Sequence, residues 1–511
     1  AHQRSTDGQN HDASRDLRYF DYVKGYQSSA NGQDAARLTG DALELLLMLR
    51  NEERLATAEE QVTLSRMVGL GASAFHKKEH NPFEYPNSRY KSGNDPFEKL
   101  RRTIFRFSSD ERESLKETSL TAFYTPAPIS KFMWDALEQM GVNDDIHGLS
   151  VVDPAFGTGN FIGNAPDFIR RKANIIGIEM DPVTSEIARH LYPEAKHLNK
   201  PYQDVNLPPA SKDLFIGNPP YSDVRVFNPR TKKREVVHDL FLRESIRAVK
   251  PGGIVSFVTS AGTLDKKQSV LREYIYRTAD LVHAVRLPSN GFKDAGTEVI
   301  TDIIFFRVRL PEENPGSNIW IKSTTDSYDF NDDNHELSMN DYFKHHPENV
   351  LGKVEVISGQ FGPKLSVTSS DNNLEDQLTL ALKSIPTDIF RPVSMGLALQ
   401  KEVKIQATNE SNRRDIDAET IENNRIGSMF IEPESEKLHV LQYDSSDAVY
   451  YSLPMKEAAK DTSLYVDYIR LRDATKALLD NEVLTINDDR ERFIEKQRIN
   501  LNVLYDTFVG N

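Results

Sequence analysis

Cysteine is missing from the 511-residue sequence. Disulfides, thiolate nucleophiles and cysteine metal sites are therefore excluded. The 13 histidines are scattered along the chain. Two segments, FHKKEH and FKHHPEN, place histidines near acids, but neither spacing matches a metal-binding motif. No metal site is expected, and the histidines are interpreted as surface or hydrogen-bonded side chains.

Long apolar runs are also missing. No stretch of roughly 18 apolar residues occurs, so no membrane-spanning helix is predicted. The first residues, AHQRSTDGQNHDASRD, lack the apolar core of a secretory signal. They are predicted to form a disordered polar tail over residues 1–17.

The chain also has no excess of positive charge, since its net charge is −14. Such a chain is not expected to coat nucleic acid non-specifically. A nucleic-acid enzyme is not excluded, because a local basic groove can lie on an acidic protein.

The flanking regions differ from the centre of the chain. Residues 18–96 are predicted to form a helical region and a linker, because LTGDALELLLMLRNEE and EEQVTLSRMVGLGASAF have apolar residues at helical spacing. Residues 311–511 are predicted to be an α+β region ending in helices. Its strand-like pieces are VEVI and KLSV, and its amphipathic helices begin at YVDYIRLRD and DDRERFIEK.

The centre, residues 97–310, alternates helical stretches with short apolar runs. These runs are LSVV, NIIGI, DLFIG, GGIVSFVT, LVHAVRL and VITDIIFFRV. They predict a parallel sheet covered by helices on both faces, which is a doubly wound α/β domain. Ligands of such domains bind at the carboxyl ends of the strands, where the strand order reverses.

One candidate site follows the first apolar run, in VVDPAFGTGNFI. The run ends at Val152 and Asp153 follows it, and Gly157 and Gly159 flank Thr158 in a turn that lets the backbone approach a ligand. The string lacks the Lys-Ser/Thr of a phosphate-binding loop and the third glycine of a dinucleotide fingerprint. It suits a ligand without a triphosphate; the alternative is a structural tight turn.

Two more acids follow. Glu179 is the first polar residue after NIIGI and is placed to accept hydrogen bonds from ribose hydroxyls. Asp204, in PYQDV, could accept from an adenine amino group. For Asp204 the alternative is a solvated loop acid.

The fourth apolar run ends in Asn218-Pro219-Pro220-Tyr221. The Asn218 carboxamide oxygen and the Pro219 carbonyl can both accept hydrogen bonds from one planar amino group. The prolines restrict the backbone, and Tyr221 offers a face on which a base can stack. A proline turn with a packed tyrosine is the alternative.

In this order, the motifs FYTP, DPAFGTGNF, GIEMDP and GNPPY resemble those of S-adenosylmethionine-dependent DNA adenine-N6 methyltransferases. The resemblance is to the subgroup of type I and type IIG restriction systems. It implies a Rossmann-like methyltransferase sheet, S-adenosylmethionine as cofactor, and a DNA adenine that is flipped out of the duplex. Methyl transfer would be direct and in line, without a covalent enzyme intermediate.

The resemblance also implies roles for individual residues. The cofactor-binding residues would be Phe123, Tyr124, Thr125, Pro126, Asp153, Ala155, Gly157, Gly159, Glu179 and Asp204. The catalytic residues would be Asn218, Pro219, Pro220 and Tyr221, with Phe161 near the target base.

A basic segment, SDVRVFNPRTKKREVV, directly follows NPPY and favours a nucleic-acid substrate. It is interpreted as a loop whose Arg225, Lys232 and Lys233 contact phosphates, together with Arg230 and Arg234. The alternative is a solvated charged loop.

The chain end narrows the resemblance. YFKHHPENVLGK and RINLNVLYDTFVGN are similar to segments of phage antirestriction proteins that join an adenine methyltransferase to a helicase. The chain contains no Walker-type loop. We therefore expect it to be the methyltransferase part of a larger protein, with DNA and a helicase domain or specificity subunit as partners. A bacterial cytoplasm is the expected location, with a phage-encoded or virion-associated origin.

Two other functions stay open. A methyltransferase with the NPPY motif could act on RNA or on a protein glutamine. An antirestriction protein could instead bind the cofactor or DNA without turnover.

Overall fold

A computed structural model describes most of the chain. The described residues are 32–71, 75, 77–86, 95–119, 124–146, 148–220, 224–289, 291, 300–331, 333–359, 362–369, 373–393, 414–415, 429–431, 437–444, 449–454, 462–482 and 488–510. The predicted tail of residues 1–17 lies outside them. The described residues form two compact units. The first comprises those up to Asp204 and those of Ser211–Pro392, and the second those of Val205–Ala210 and from Val393 onward.

The first unit begins with helices that share one apolar core with the sheet behind them. These helices are α1 (Gly32–Glu52), α2 (Ala58–Ser65), α3 (Pro96–Ile104), α4 (Ser109–Ser119) and α5 (Ala127–Gln139). Leu43 and Leu46 of α1 are fully buried in the same cluster as Val151 of the sheet. The predicted N-terminal helices are therefore confirmed, and they pack as part of this unit.

The remaining elements of the first unit alternate strands and helices. Around the sheet they are β1 (Ser150–Asp153), α6 (Asn160–Gly163), α7 (Asp167–Lys172), β2 (Asn174–Ile178), α8 (Pro182–Leu191), β3 (Lys196–Leu198), β4 (Lys212–Gly217), β5 (Arg225–Asn228), β6 (Lys233–Val236), α9 (Val237–Ala248), β7 (Val249–Ser260), α10 (Gly262–Asp265), α11 (Val270–Tyr276), β8 (Ala279–Arg286) and β9 (Thr301–Val308). After the sheet come β10 (Ser323–Phe330), β11 (Asp333–Asn340), α12 (Asp341–His345), β12 (Lys353–Gly359), β13 (Gly362–Thr368) and α13 (Leu374–Ala381).

The central sheet has seven strands in the order β3-β2-β1-β4-β7-β9-β8. Strands β3, β2, β1, β4 and β7 are parallel neighbours, and β4 and β7 are almost entirely buried. This confirms the predicted doubly wound α/β fold. One feature departs from the all-parallel expectation: β9 runs antiparallel between β7 and β8. An apolar run is compatible with either strand direction, so the direction of β9 is decided by its pairing with β7 and β8 and not by its own sequence.

The strand order reverses beside β1. The chain moves outward from β1 to β2 and β3, then returns to place β4 on the other side of β1. The ends of β1 and β4 therefore flank the switch point, where open α/β sheets bind ligands. Asp153 ends β1 and Gly217 ends β4, so the DPAFGTGNF and NPPY motifs both begin there.

The second unit combines a small sheet with two long helices. Its strands are β14 (Arg414–Asp415), β15 (Met429–Ile431), β16 (Leu438–Asp444) and β17 (Val449–Pro454), and its helices are α14 (Thr462–Glu482) and α15 (Asp488–Gly510). The predicted C-terminal helices are thus confirmed. Within the described part of the chain, no helix has the length and apolar character needed to cross a membrane.

Candidate functional site

A cavity of about 320 Å³ lies at the switch point of the sheet. That volume is within the range of pockets that hold small ligands and cofactors, about 300–1,000 Å³. Eight of the predicted site residues line it: Tyr124, Thr125, Ala155, Gly157, Phe161, Glu179, Asn218 and Pro220. The motifs after β1, β2 and β4 therefore converge on one cavity.

The other predicted residues are placed elsewhere. Pro126, Asp153, Gly159, Asp204 and Pro219 are not among the lining residues, although each is next in sequence to a residue that lines the cavity. Arg225, Lys232 and Lys233 are exposed outside the cavity. Phe123 and Tyr221 lie outside the described residues.

Glu179 ties the turn after β1 to the end of β2. One of its carboxylate oxygens accepts a hydrogen bond from the Gly157 N–H at 2.9 Å, and the other accepts from the Asp181 N–H at 2.9 Å. Burial, together with the nearby Asp181 charge, raises the pKa of Glu179 to about 7. Since a carboxylate has about four acceptor positions, Glu179 keeps acceptor capacity for a hydroxyl group of a ligand.

Two glycines make the turn that forms this wall. Gly157 has φ +54° and Gly159 has φ +83°, a region that side chains rarely adopt. A Cβ on Gly157 would lie 3.2 Å from the Tyr124 ring, and one on Gly159 would lie 2.2 Å from the Tyr192 ring. The glycines are therefore required by conformation and by close packing against aromatic rings.

Asp153 lies behind the cavity wall, with its side chain fully buried. Its Oδ1 accepts from the Ala155 N–H at 3.0 Å, whereas its Oδ2 has no hydrogen-bond partner among the residues that the structure describes. Burial raises the pKa of Asp153 to about 8. A Cβ added to Gly217 would be 2.6 Å from Oδ1, so the end of β4 needs glycine beside this carboxyl. Asp153 thus organises the turn from behind.

Asn218 and Pro220 continue from Gly217 into the cavity wall. Asn218 is partly buried, and Pro219 between them is buried. The NPPY segment therefore faces the same space as Glu179 and Gly157. A planar group bound beside Asn218 would also be near the aromatic side chains of Tyr124, Phe156 and Phe161, which line the cavity.

Sequence reasoning missed part of the lining. Tyr202 and Gln203 line the cavity, whereas Asp204, two residues after Tyr202, is exposed. All three lie in a single 3₁₀ turn, Tyr202–Asp204. Tyr202 packs on Phe241 with ring centroids 4.6 Å apart, and its hydroxyl lies 3.0 Å from the Ser245 hydroxyl. The PYQDV segment was recognised as part of the site. The sequence alone does not show which of its polar residues lines the cavity and which is exposed.

The basic segment after NPPY is a β-hairpin, so its interpretation as a loop was wrong. Strands β5 and β6 pair antiparallel, with Phe227 opposite Arg234 and Asn228 opposite Lys233. The alternation in RVFN and KREV was the missed signal. Val224, just before β5, and Val226 within it line the cavity. The hairpin is therefore part of the cavity wall.

Buried polar contacts fix the hairpin to α9. Asn228 donates to Glu244 at 3.1 Å, and Arg230 donates from Nε to the same carboxylate at 3.1 Å. Arg243 of α9 pairs with Glu235 of β6 at 3.0 Å. Arg230, predicted to contact phosphate, is thus held by an ion pair within the protein.

Comparisons with known proteins give matches to the central part of the chain. Residues 113–347 match the family model N-6 DNA Methylase. Defense against restriction protein B of Escherichia phage P1 is 25% identical over 195 residues, which cover 37% of this chain and 8% of that protein. The type I restriction enzyme EcoEI methylase subunit of Escherichia coli is 26% identical over 229 residues, which cover 39% of this chain and 44% of that subunit.

Among solved structures, the type I restriction-modification system methyltransferase subunit from Streptococcus thermophilus gives a TM-score of 0.34. The sequence identity is 15%, and the match covers 68% of this chain and 79% of that one. The chain spans less than half the length of both curated relatives.

Proposed function

Residues 113–347 belong to the N-6 DNA methylase family, and from this premise we propose that the protein methylates the N6 amino group of an adenine in DNA. S-adenosylmethionine is the methyl donor. The observation that carries the proposal is that Asn218 and Pro220 of NPPY line the same cavity as Glu179 and Gly157. The motif for an amino group and the motif for a nucleoside cofactor thus share one space.

The cavity residues fit S-adenosylmethionine. Glu179 has acceptor capacity left for a ribose hydroxyl beyond its backbone hydrogen bonds. Thr125 lines the cavity, and its buried hydroxyl has no hydrogen-bond partner among the residues that the structure describes, so it can serve a polar group of the cofactor. Tyr124 and Phe161 offer aromatic faces near which a sulfonium cation is stabilised.

When bound, S-adenosylmethionine supplies an electrophilic methyl group. The protein's part is to present the amino nitrogen and to exclude water. The Asn218 carboxamide oxygen would accept a hydrogen bond from the amino group, and the Pro219 carbonyl would accept a second one. Both acceptors stabilise the positive charge that develops on the nitrogen during methylation. Asp153, protonated near neutral pH because of its raised pKa, keeps the turn beside Gly217 in place.

The position of the cavity has a consequence for the substrate. A duplex base cannot enter a cavity of this kind while it is stacked and paired, so the adenine is flipped out of the helix. Tyr221 would stack on it. Arg225, Lys232 and Lys233 are exposed on the hairpin that forms the cavity wall, and they would contact phosphates beside the flipped base.

Two relatives support a proposal for the biological setting. We place the protein in restriction-modification or phage antirestriction, working in a bacterial cytoplasm, because one relative is a phage protein named for defense against restriction and another is a methylase subunit of a type I enzyme. A specificity subunit or a helicase domain would supply the target recognition that the described elements do not identify.

Methyl transfer from labelled S-adenosylmethionine tests the proposal. Purified protein is incubated separately with DNA, RNA and a protein extract, and digested DNA is analysed for N6-methyladenine. We expect label in DNA adenine. Asn218→Ala should abolish transfer and leave cofactor binding by calorimetry nearly unchanged. Asn318→Ala, at an exposed asparagine that makes no side-chain cap bond, is the matched control and should transfer as the wild type does.

Each alternative has its own outcome in this experiment. Label in RNA or in protein glutamine, with none in DNA, would show that RNA or protein is the substrate in place of DNA. Cofactor binding without transfer to any of the three would support a binding module. Full activity in Asn218→Ala would contradict the assignment of the catalytic motif.

A further inference from the structure

The hairpin has two faces with different surroundings. Cross-strand partners point to the same side of an antiparallel pair, and successive residues point to opposite sides. Val226 lines the cavity and lies opposite Glu235. Arg225 and Phe227 therefore point to the other side, together with Arg234, which lies opposite Phe227. We refer to Arg225, Phe227 and Arg234 as the outer face of the hairpin.

Phe227 is 52% exposed on this face. A half-exposed phenylalanine leaves apolar ring surface in contact with water, which a bound partner would remove. Its exposure does not come from a loose hairpin, because Asn228, the next residue, is buried and bonded to Glu244 of α9. The ring is presented to solvent by a strand whose other side is anchored.

The charges around this ring identify its partner. The segment from Val224 to Val236 contains five basic residues and one acid, a net charge of +4, on a chain whose net charge is −14. Arg225 and Arg234 flank the ring on the same face, and Arg234 also donates to the Arg225 carbonyl at 2.9 Å. An aromatic ring between cations fits a stacked base with its neighbouring phosphates.

We propose that Phe227 is a base-stacking residue for DNA. It stacks on a base of the strand that carries the target adenine, while Arg225 and Arg234 contact the phosphates on either side. This inference rests on the proposed function, because it is the cavity beside the hairpin that takes the adenine. It adds a contact made to a second base, outside the cavity, by a residue that belongs to none of the four motifs.

Two single-stranded DNA probes with the same number of phosphates distinguish base stacking from phosphate contact. One is a labelled oligothymidylate of roughly 12 nucleotides, within the usual range of single-strand sites, and the other is an abasic strand of the same length. Binding is measured by fluorescence anisotropy. Phe227→Ala should weaken binding of the thymidylate strand by at least roughly fivefold and leave the abasic strand unchanged. Arg225→Ala should weaken both.

Further variants control for the ring and for the fold. Phe227→Trp should retain thymidylate binding, whereas Phe227→Leu, which keeps apolar bulk without a ring, should lose it. Tyr85→Ala removes another exposed aromatic side chain, 84% exposed, that is not part of the cavity lining. It should bind both strands as the wild type does. Unchanged cofactor affinity in the Phe227 variants shows that the cavity is intact.

Three outcomes with the two DNA probes would overturn the inference. They are wild-type binding of thymidylate by Phe227→Ala, an equal loss for both probes, and no binding of either probe by the wild type. An oligouridylate of the same length is the third probe, and a loss in Phe227→Ala seen only with it would assign the ring to RNA and would also overturn the inference. If the wild type methylates DNA while Phe227→Ala binds normally, this inference fails and the proposed function stands. If the wild type transfers no methyl group to DNA, the proposed function fails.

Discussion

Glu179 accepts a hydrogen bond from the backbone N–H of Gly157, 22 residues earlier in the chain, at 2.9 Å. The bond joins the turn after β1 to the end of β2, and both residues line the cavity. Under the proposed function Glu179 has two tasks, because the carboxylate that fixes the turn would also be the acceptor offered to the cofactor. Changing this side chain tests both tasks together.

We expect Glu179→Gln to bind S-adenosylmethionine about 10- to 100-fold more weakly. The glutamine amide must direct its NH₂ group toward one of two backbone N–H donors, which removes one bond and one charge. Isothermal titration calorimetry measures the change. Glu336→Gln, at an exposed position in β11, is the control and should bind as the wild type does. Equal affinities for both variants would remove Glu179 from the cofactor site.

Cofactor affinity should rise as the pH increases from about 6 to about 8. The pKa of Glu179 in the free protein is about 7 because of burial, and only the ionised carboxylate offers all of its acceptor positions to ribose. Binding near pH 7 should therefore release protons. Calorimetry in two buffers with different ionisation enthalpies detects that release, which Glu179→Gln should largely abolish. Proton uptake on binding would contradict the prediction.

The stability of the free protein should show the opposite trend with pH. Asp153 and Glu179 have folded-state pKa values of about 8 and about 7, both raised by burial above the values of free carboxyl groups. The folded state then holds protons that the unfolded chain has lost, so the contribution of these groups falls as the pH rises from about 4 to about 8. Urea unfolding across this range measures the slope. Asp153→Asn should make it shallower.

Gly159→Ala and Gly148→Ala separate a steric clash from backbone strain. Both glycines have positive φ, +83° and +68°, so both variants are strained. A Cβ at Gly159 would lie 2.2 Å from the Tyr192 ring, whereas one at Gly148 would meet nothing within 4 Å. We expect Gly159→Ala to be about 1–3 kcal/mol less stable than Gly148→Ala. Denaturant unfolding measures the difference, and equal stabilities would contradict the packing of the turn.

Arg50 offers a test of how α1 is held to α4 and α8. Its guanidinium pairs with Glu111 at 2.7 Å, bonds from Nε to Glu186 of α8 at 2.9 Å, and lies over the Phe107 ring. Arg50→Met should lower stability by about 1 kcal/mol, because two acids lose one shared partner. Arg37→Met removes a more exposed pair with Asp34 and should have little effect. Urea unfolding midpoints compare the two variants.

Much of the fold is legible in the sequence because buried strands leave continuous apolar runs. Six of the seven sheet strands coincide with such runs. The exception, β3 (Lys196–Leu198), has three residues at the edge of the sheet and none of them is buried, so it leaves no run. The reversal of β9 is likewise invisible, because strand direction is decided by which neighbour pairs with it and not by its own residues.

The candidate site was predicted to the extent that its chemistry lies in contiguous motifs. Glu179, Gly157 and Asn218 line the cavity because each directly follows a sheet strand or stands in the turn after one. Gln203 and Val226 could not be distinguished, since they reach the cavity from a 3₁₀ turn and a hairpin whose positions depend on packing against α9. Asp204 is the opposite case. Its residue type suits the predicted role, but it is exposed on the same turn and does not line the cavity.

The hairpin assigns neighbouring residues of one strand to different tasks. Val226 belongs to the cavity wall, and Phe227, one residue later, belongs to the outer face. Side chains of the outer face can therefore change during evolution without altering the cavity wall. The hairpin backbone stays in place because Asn228 is bonded to Glu244. If the outer face contacts DNA as proposed, sequence differences among related chains should accumulate on alternate residues of β5 and β6.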